Sequence, residues 1–201
     1  YGMISFIDHE IGRMLDYLEE SGLAENTLVV FTTDHGHFLG HHGLIAKGPF
    51  HYEDLIRVPM IARWPGRIPA GAVSDSLQSL VDYPQTLLAA AGIDAPGAMQ
   101  GVNQLAVWTG ENERARDWAL VENRHNPTTV HLRTLVTGRY KLTVYRGAAY
   151  GELFDLHADP AEHHNRWDDP AYAAVKSELL HQFVQAEMQR EGTRMARVAG
   201  A

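Results

Sequence analysis

Residues 32 to 47 read TTDHGHFLGHHGLIAK, which gathers Asp34, His35, His37, His41, His42 and Lys47 around three glycines. An aspartate oxygen and a histidine nitrogen are donors that suit a divalent cation. Asp34 and His35 are adjacent, so in a regular strand their side chains point to opposite faces. They can share one ion only where the strand ends and the chain turns, and Gly36 permits such a turn. Two ligands alone do not make a site. A solvated loop in which Asp34 caps a turn is the plain alternative, and the residue types leave both readings open. Lys47 alone reads as a solvated charge, as most lysines are. His37, His41, His42 and His51 read as surface or supporting residues.

The elements around this stretch decide where it sits. Thr27–Thr33 has an uninterrupted apolar centre, LVVF, which suits a parallel strand buried on both faces. In open α/β sheets ligands collect at the carboxyl ends of such strands. Ahead of it, Met3, Ile4, Ile7, Ile11, Met14, Leu15 and Leu18 recur at helical spacing, and Ser21–Gly22 supplies the stop. Residues 34–57 lack periodicity and read as a long functional loop. VPMIARWP (58–65) reads as a second strand. Asp82 is placed to cap a helix with Pro84 in its first turn, running to Ala91 and ending at Gly92.

The character changes near residue 95. WALVENR (118–124), HLRTLVTG (131–138), RYKLTVYRG (139–147) and GELFDL (151–156) read as strands, with a hairpin around Gly138. DDP at 168–170 opens a helix carrying Tyr172, Val175, Leu179, Phe183 and Val184. The expected organisation is an α/β unit over 1–94, then an α+β unit over 95–201 with an antiparallel sheet and a terminal helix.

The 201 residues are 45% hydrophobic and 21% charged, the balance of an ordinary globular protein. The net charge of -8 is spread without a basic stripe, which argues against nucleic acid as a partner. An anionic substrate must therefore meet locally placed cations. No apolar run approaches the roughly 20 residues that span a bilayer, so the expectation is a soluble protein. Its compartment, cytoplasmic or periplasmic and secreted, stays open, as does its oligomeric state. The absence of cysteine removes disulfides, thiolate metal sites and cysteine nucleophiles. Tyr1 is no initiator and a helix starts at once, so the chain reads as a piece of a longer protein.

The ordered series DHEIGRMLDYLEESG, NTLVVFTTDHGHFLGHHGLIAK, YEDLIRVPMIARWPGRIPAG, VSDSLQSLVDYPQTLLAAAGI and ELFDLHADPAEHHN covers nearly the whole chain. It resembles the later half of the catalytic domain of the sulfatase family, within the alkaline-phosphatase-like superfamily. The resemblance implies an α/β fold of that type, this chain supplying the later part of a mostly parallel sheet and a small C-terminal antiparallel sheet. It implies metal-dependent hydrolysis of a small anionic sulfate ester. Asp34 and His35 then become ligands of one divalent cation, calcium being commonest, with His35 improving the case for manganese or zinc. Lys47 falls on the sulfate and its bridging oxygen, and His42 touches substrate or orients Lys47. A cation and an ammonium aimed at those oxygens lower the barrier where charge develops.

The family's nucleophile is a hydrated formylglycine made from the Cys or Ser of a C/S-x-P-x-R motif. These residues contain no such motif. The chain therefore resembles a C-terminal part, inactive alone, with formylglycine expected in the missing N-terminal part. Phosphonate monoester or phosphodiester hydrolases on the same scaffold, which also carry Asp-His here, are the alternative. A non-catalytic binder of anionic sugars is another. Glu53 and Arg57 are expected to form a buried ion pair that holds the loop down. Asn123, Arg124 and His125 are expected at the rim of the substrate cleft.

Overall fold

The computed structural model describes residues 1–124 and 130–191. The helical spacing at the start is realised as α1 (Gly2–Glu20), which buries none of its residues. Met3, Ile4, Phe6, Ile7 and Met14 are all exposed. Strand β1 (Val29–Thr32) pairs with β2 (Met60–Arg63) in antiparallel sense, Val29 opposite Arg63 and Thr32 opposite Met60. Among the described residues β1 thus finds no parallel neighbour, and Phe31 is 41% exposed. An apolar run says that a strand will be covered, but it does not name the partner or its direction.

Several large apolar side chains exposed along one helix mark a surface that is commonly covered by a partner or by more of the protein. The 201-residue chain prepared alone should therefore self-associate and turn over no sulfate ester. A single monomer mass in light scattering, together with sulfatase turnover, would refute this. Among the described residues no helix is long and apolar enough to cross a membrane.

The long connection from β1 to β2 contains α2 (Glu53–Ile56). Helix α3 (Tyr83–Ala90) starts with Pro84 near its first turn, as expected. Asp82, however, does not cap it. Its fully buried carboxylate accepts from the Ser79 N–H at 2.9 Å, the Val102 N–H at 2.9 Å and the Gln104 amide at 2.9 Å, and pairs with Arg116. Longer-range partners have claimed the side chain that the local pattern assigned to the helix end. A short α4 (Leu105–Trp108) follows.

Strands β3 (Trp118–Arg124), β4 (His131–Thr137), β5 (Tyr140–Tyr145) and β6 (Gly151–Asp155) form one antiparallel sheet in that order. Helix α5 (Ala173–Arg190) is entered through the Asp169 carboxylate, which accepts from the Ala171 N–H at 3.0 Å. Such a cap contributes about 1 kcal/mol.

The period of two divides the sheet into two faces. Leu135, Leu142 and Leu153 are 0% exposed and pack with Leu179, Phe183 and Ala186 of α5. Each fully buried leucine is worth about 1.5–3 kcal/mol. Val184 lies off this stripe and is exposed, because one helical step from Phe183 turns the side chain away from the sheet. The opposite face carries Thr134, Lys141, Thr143, Glu152 and Phe154. There the histidine-rich loop lies, so the sheet is the floor on which the loop is set.

Candidate functional site

The loop is pinned directly behind Asp34 and His35. The Gly36 N–H donates to the Leu55 carbonyl at 2.8 Å, and a Cβ at position 36 would stand 1.9 Å from the Asp54 carbonyl oxygen. Glycine is required here by the close approach of α2. Further on, the Phe38 N–H donates to the Ala46 carbonyl at 3.0 Å and the Gly40 N–H to the Leu44 carbonyl at 2.8 Å. These bonds fold the loop back on itself and bring Lys47 to the strand end. Leu39, His42 and Ala46 hold φ of 50°, 53° and 60°. Left-handed conformations at such residues cost on the order of 1–3 kcal/mol each and persist only where surrounding contacts enforce them. Phe38, 2% exposed, anchors the fold-back.

Asp34, His35 and Lys47 come together. His35 Nε2 lies 3.6 Å from Asp34 Oδ2, and Lys47 Nζ lies 3.4 Å from the same nitrogen. His35 Nδ1 is 2.7 Å from the Gly36 carbonyl oxygen. A carbonyl only accepts, so Nδ1 carries the proton and Nε2 keeps its lone pair. Two donors on one ion stand about 3–3.5 Å apart, so this pair fits a divalent cation with little movement. The Thr33 hydroxyl, then the His35 N–H, hold the Asp34 carboxyl below the usual carboxylate range. Asp34 is thus a carboxylate ready to ligate.

His42 is arranged differently. Its ring stacks on Tyr52 with centroids 3.8 Å apart, and its Nε2 is sealed from solvent without a hydrogen-bond partner among the described residues. Burial, reinforced by neighbouring His41 and His163, lowers its pKa and keeps the imidazole neutral. His37 closes a local turn, its Nδ1 accepting from the Leu39 N–H at 3.1 Å.

The anchor of the loop is not the expected Glu53–Arg57 pair. Arg57 is exposed, and Glu53 instead accepts from Lys141 Nζ at 3.0 Å. Lys141 is 1% exposed and also pairs with buried Glu162, whose Oε2 accepts from the Glu53 N–H at 2.6 Å. Burial raises the Glu162 carboxyl above its ordinary range, with the Lys141 charge opposing. A Glu and an Arg four residues apart meet on a helix surface, but α2 is one turn long and turns Glu53 inward to β5. Next to it, buried His51 shares a hydrogen bond of 2.8 Å with Thr134, and burial beside Lys141 pushes its pKa down to about 4. The Tyr52 hydroxyl donates to Glu152 at 3.1 Å. At the far edge, Asn123 and Arg124 face Leu132 and His131 across the ladder, while His125 lies outside the described residues.

The comparisons agree with this architecture. Residues 40–189 match the family described as N-sulphoglucosamine sulphohydrolase, C-terminal. The chain is 34% identical over 190 residues to an N-acetylglucosamine-6-O-sulfatase of Bacteroides thetaiotaomicron, covering 91% of this chain and 34% of that protein. It is 34% identical over 165 residues to an arylsulfatase of Clostridium perfringens, covering 81% and 34%. Its structure matches that of a protein in complex with its substrate D-glucosamine-2-N,6-O-disulfate, with TM-score 0.87, 31% identity and coverage of 95% of this chain and 40% of that one. It also matches the phosphonate monoester hydrolase of Agrobacterium radiobacter, with TM-score 0.87, 27% identity and coverage of 99% and 43%. The chain spans about a third of the length of the curated relatives it matches. The alkaline-phosphatase-like fold expected from the sequence is the fold observed. With more than half its length inside the matched region, the chain belongs to the sulfatase family, in its N-sulphoglucosamine sulphohydrolase C-terminal part.

Proposed function

We propose that the complete protein hydrolyses sulfate esters of a small anionic sugar, with Asp34 and His35 as two ligands of a divalent cation and Lys47 as the sulfate-binding catalytic residue. The convergence of these three side chains at the end of β1 carries the reading. The bound cation would supply Lewis acidity at the ester oxygens. The Gly36 carbonyl fixes the His35 tautomer that leaves Nε2 free, and the ionised Asp34 supplies the oxygen donor. Lys47 places its ammonium where charge builds on the sulfate and the departing oxygen. His42 serves the site by setting the loop that carries Lys47. The remaining ligands and a formylglycine nucleophile belong to parts of the protein outside these residues. Calcium is the favoured ion, with manganese or zinc made competitive by the His35 nitrogen. The names of the sulfatase relatives support a sulfated amino sugar as the substrate class.

A phosphonate monoester or phosphodiester is the second reading, favoured by the structural match to a phosphonate monoester hydrolase. The test is a turnover panel of sulfate esters, phosphonate monoesters and phosphodiesters on the complete protein and its Lys47→Ala variant. Sulfate esters should turn over fastest. Lys47→Ala should lower kcat about a hundredfold, or about 2.7 kcal/mol, with metal content unchanged. Faster phosphonate turnover would transfer the assignment to the second reading. An unaltered kcat in Lys47→Ala would reduce Lys47 to a surface lysine.

A further inference from the structure

A second group of ligand-type side chains shares no residue with the Asp34–His35 pair. One ring nitrogen each of His41 and His42 and one carboxylate oxygen of Asp54 lie within 4.8 Å of one another. His41 Nδ1 is in direct contact with Asp54 Oδ2. The His163 ring, from the turn after β6, stands 5.3 Å from that of His41 and 5.7 Å from that of His42, centroid to centroid. Four ligand-type side chains from three separate stretches of chain thus meet at one point beside the sheet.

We propose that His41, His42 and Asp54 bind a second divalent cation of the zinc class, with His163 closing the shell. Nitrogen-rich donor sets of this kind select zinc over calcium, which takes six to eight oxygens. A tetrahedral ion holds its ligand atoms about 3.3–3.5 Å apart. The three atoms therefore need to close by about 1.5 Å at most, a change within reach of small rotations of these half-buried side chains.

His42 adds a separate observation. Its Nε2 is buried and unpartnered among the described residues. Leaving such an atom unsatisfied costs about 1–3 kcal/mol, and a metal bond at that nitrogen would satisfy it. The backbone of His42 is also held at φ 53° by the loop around it, so the place from which the ring reaches the site is set before any ion arrives.

The consequence is mechanical. The ion would tie the loop carrying Lys47 to α2 through Asp54 and to the turn after β6 through His163. That would make it a brace for the catalytic loop, independent of whether the ester is a sulfate or a phosphonate.

The test uses the complete protein, stripped with a chelator and re-equilibrated with zinc alone, then analysed for bound metal by mass spectrometry. Wild type should retain one zinc per chain more than His41→Ala, and Asp54→Asn should lose the same ion. Asp54→Asn keeps the shape of the side chain and a hydrogen-bonding partner for His41, so its loss of zinc would not reflect unfolding. Asp34→Ala should keep this zinc, which separates the site from the proposed catalytic cation. Cobalt in place of zinc should give the strong visible absorption of a tetrahedral site in wild type and none in His41→Ala. Equal zinc in wild type, His41→Ala and Asp54→Asn, with identical cobalt spectra, would overturn the proposal.

Discussion

Complete protein carrying Asp34→Ala should lose one divalent ion per chain and about a thousandfold or more in kcat, because a Lewis-acid cation contributes several kcal/mol to such a reaction. Asp34 is exposed and, among the described residues, pairs only with its immediate neighbours Thr33 and His35. Its removal should therefore leave stability within about 0.5 kcal/mol of wild type. The useful measurement is metal content and kcat on the same preparation, with an unfolding curve alongside. Unchanged metal content with wild-type turnover would remove Asp34 from the site. Lost turnover in an unfolded variant would mean that the residue holds the fold instead.

Lys141→Ala should behave in the opposite way. It strips the ammonium from between Glu53 and Glu162 and leaves the buried Glu162 and half-buried Glu53 carboxylates uncompensated. Removing one partner of such a pair costs about 3–5 kcal/mol. Urea unfolding of the complete protein should show that loss, while the Asp34–His35 ligands remain intact. Lys141→Met combined with Glu162→Gln should recover part of it, since both buried charges are then gone. A loss below about 1 kcal/mol in Lys141→Ala would show that the loop is held by something other than this pair.

Much of the fold was legible. Strands β3 to β6 declare themselves through alternation and turn residues, and α5 through the Asp169–Pro170 start and the spacing of Val175, Leu179 and Phe183. Those signals act over a few residues, which is the range a sequence displays. The departures share a cause. Lys141 carries no mark in the sequence beyond its place between Tyr140 and Leu142, and only the loop lying over that sheet face makes it buried. Glu53 looked toward Arg57 because the nearer charge was the visible one, and Asp82 looked like a cap for the same reason.

The candidate site divides similarly. Ligand-type residues were plain at Asp34 and His35, but nothing in their spacing grouped them with Lys47. That grouping came from the resemblance and depends on the fold-back between Phe38 and Ala46. Asp54 and His163 gave no signal at all, because they reach the histidines only through the folded loop.

The seat of the loop on the sheet also dictates an order of assembly. His51 meets Thr134 across 83 residues, Glu53 meets Lys141 across 88, Tyr52 meets Glu152 across 100, and Glu53 meets Glu162 across 109. Closing a chain segment of roughly 100 residues costs about 4 kcal/mol in entropy before any contact repays it. The hairpins of the sheet close over a few residues and meet no such delay. Synthesis at about 5–20 residues per second brings the loop out roughly 5–20 s before its floor exists. Through that interval the histidines and Lys47 lack the sheet that seats them, so the proposed chemistry waits for residues translated well after its own.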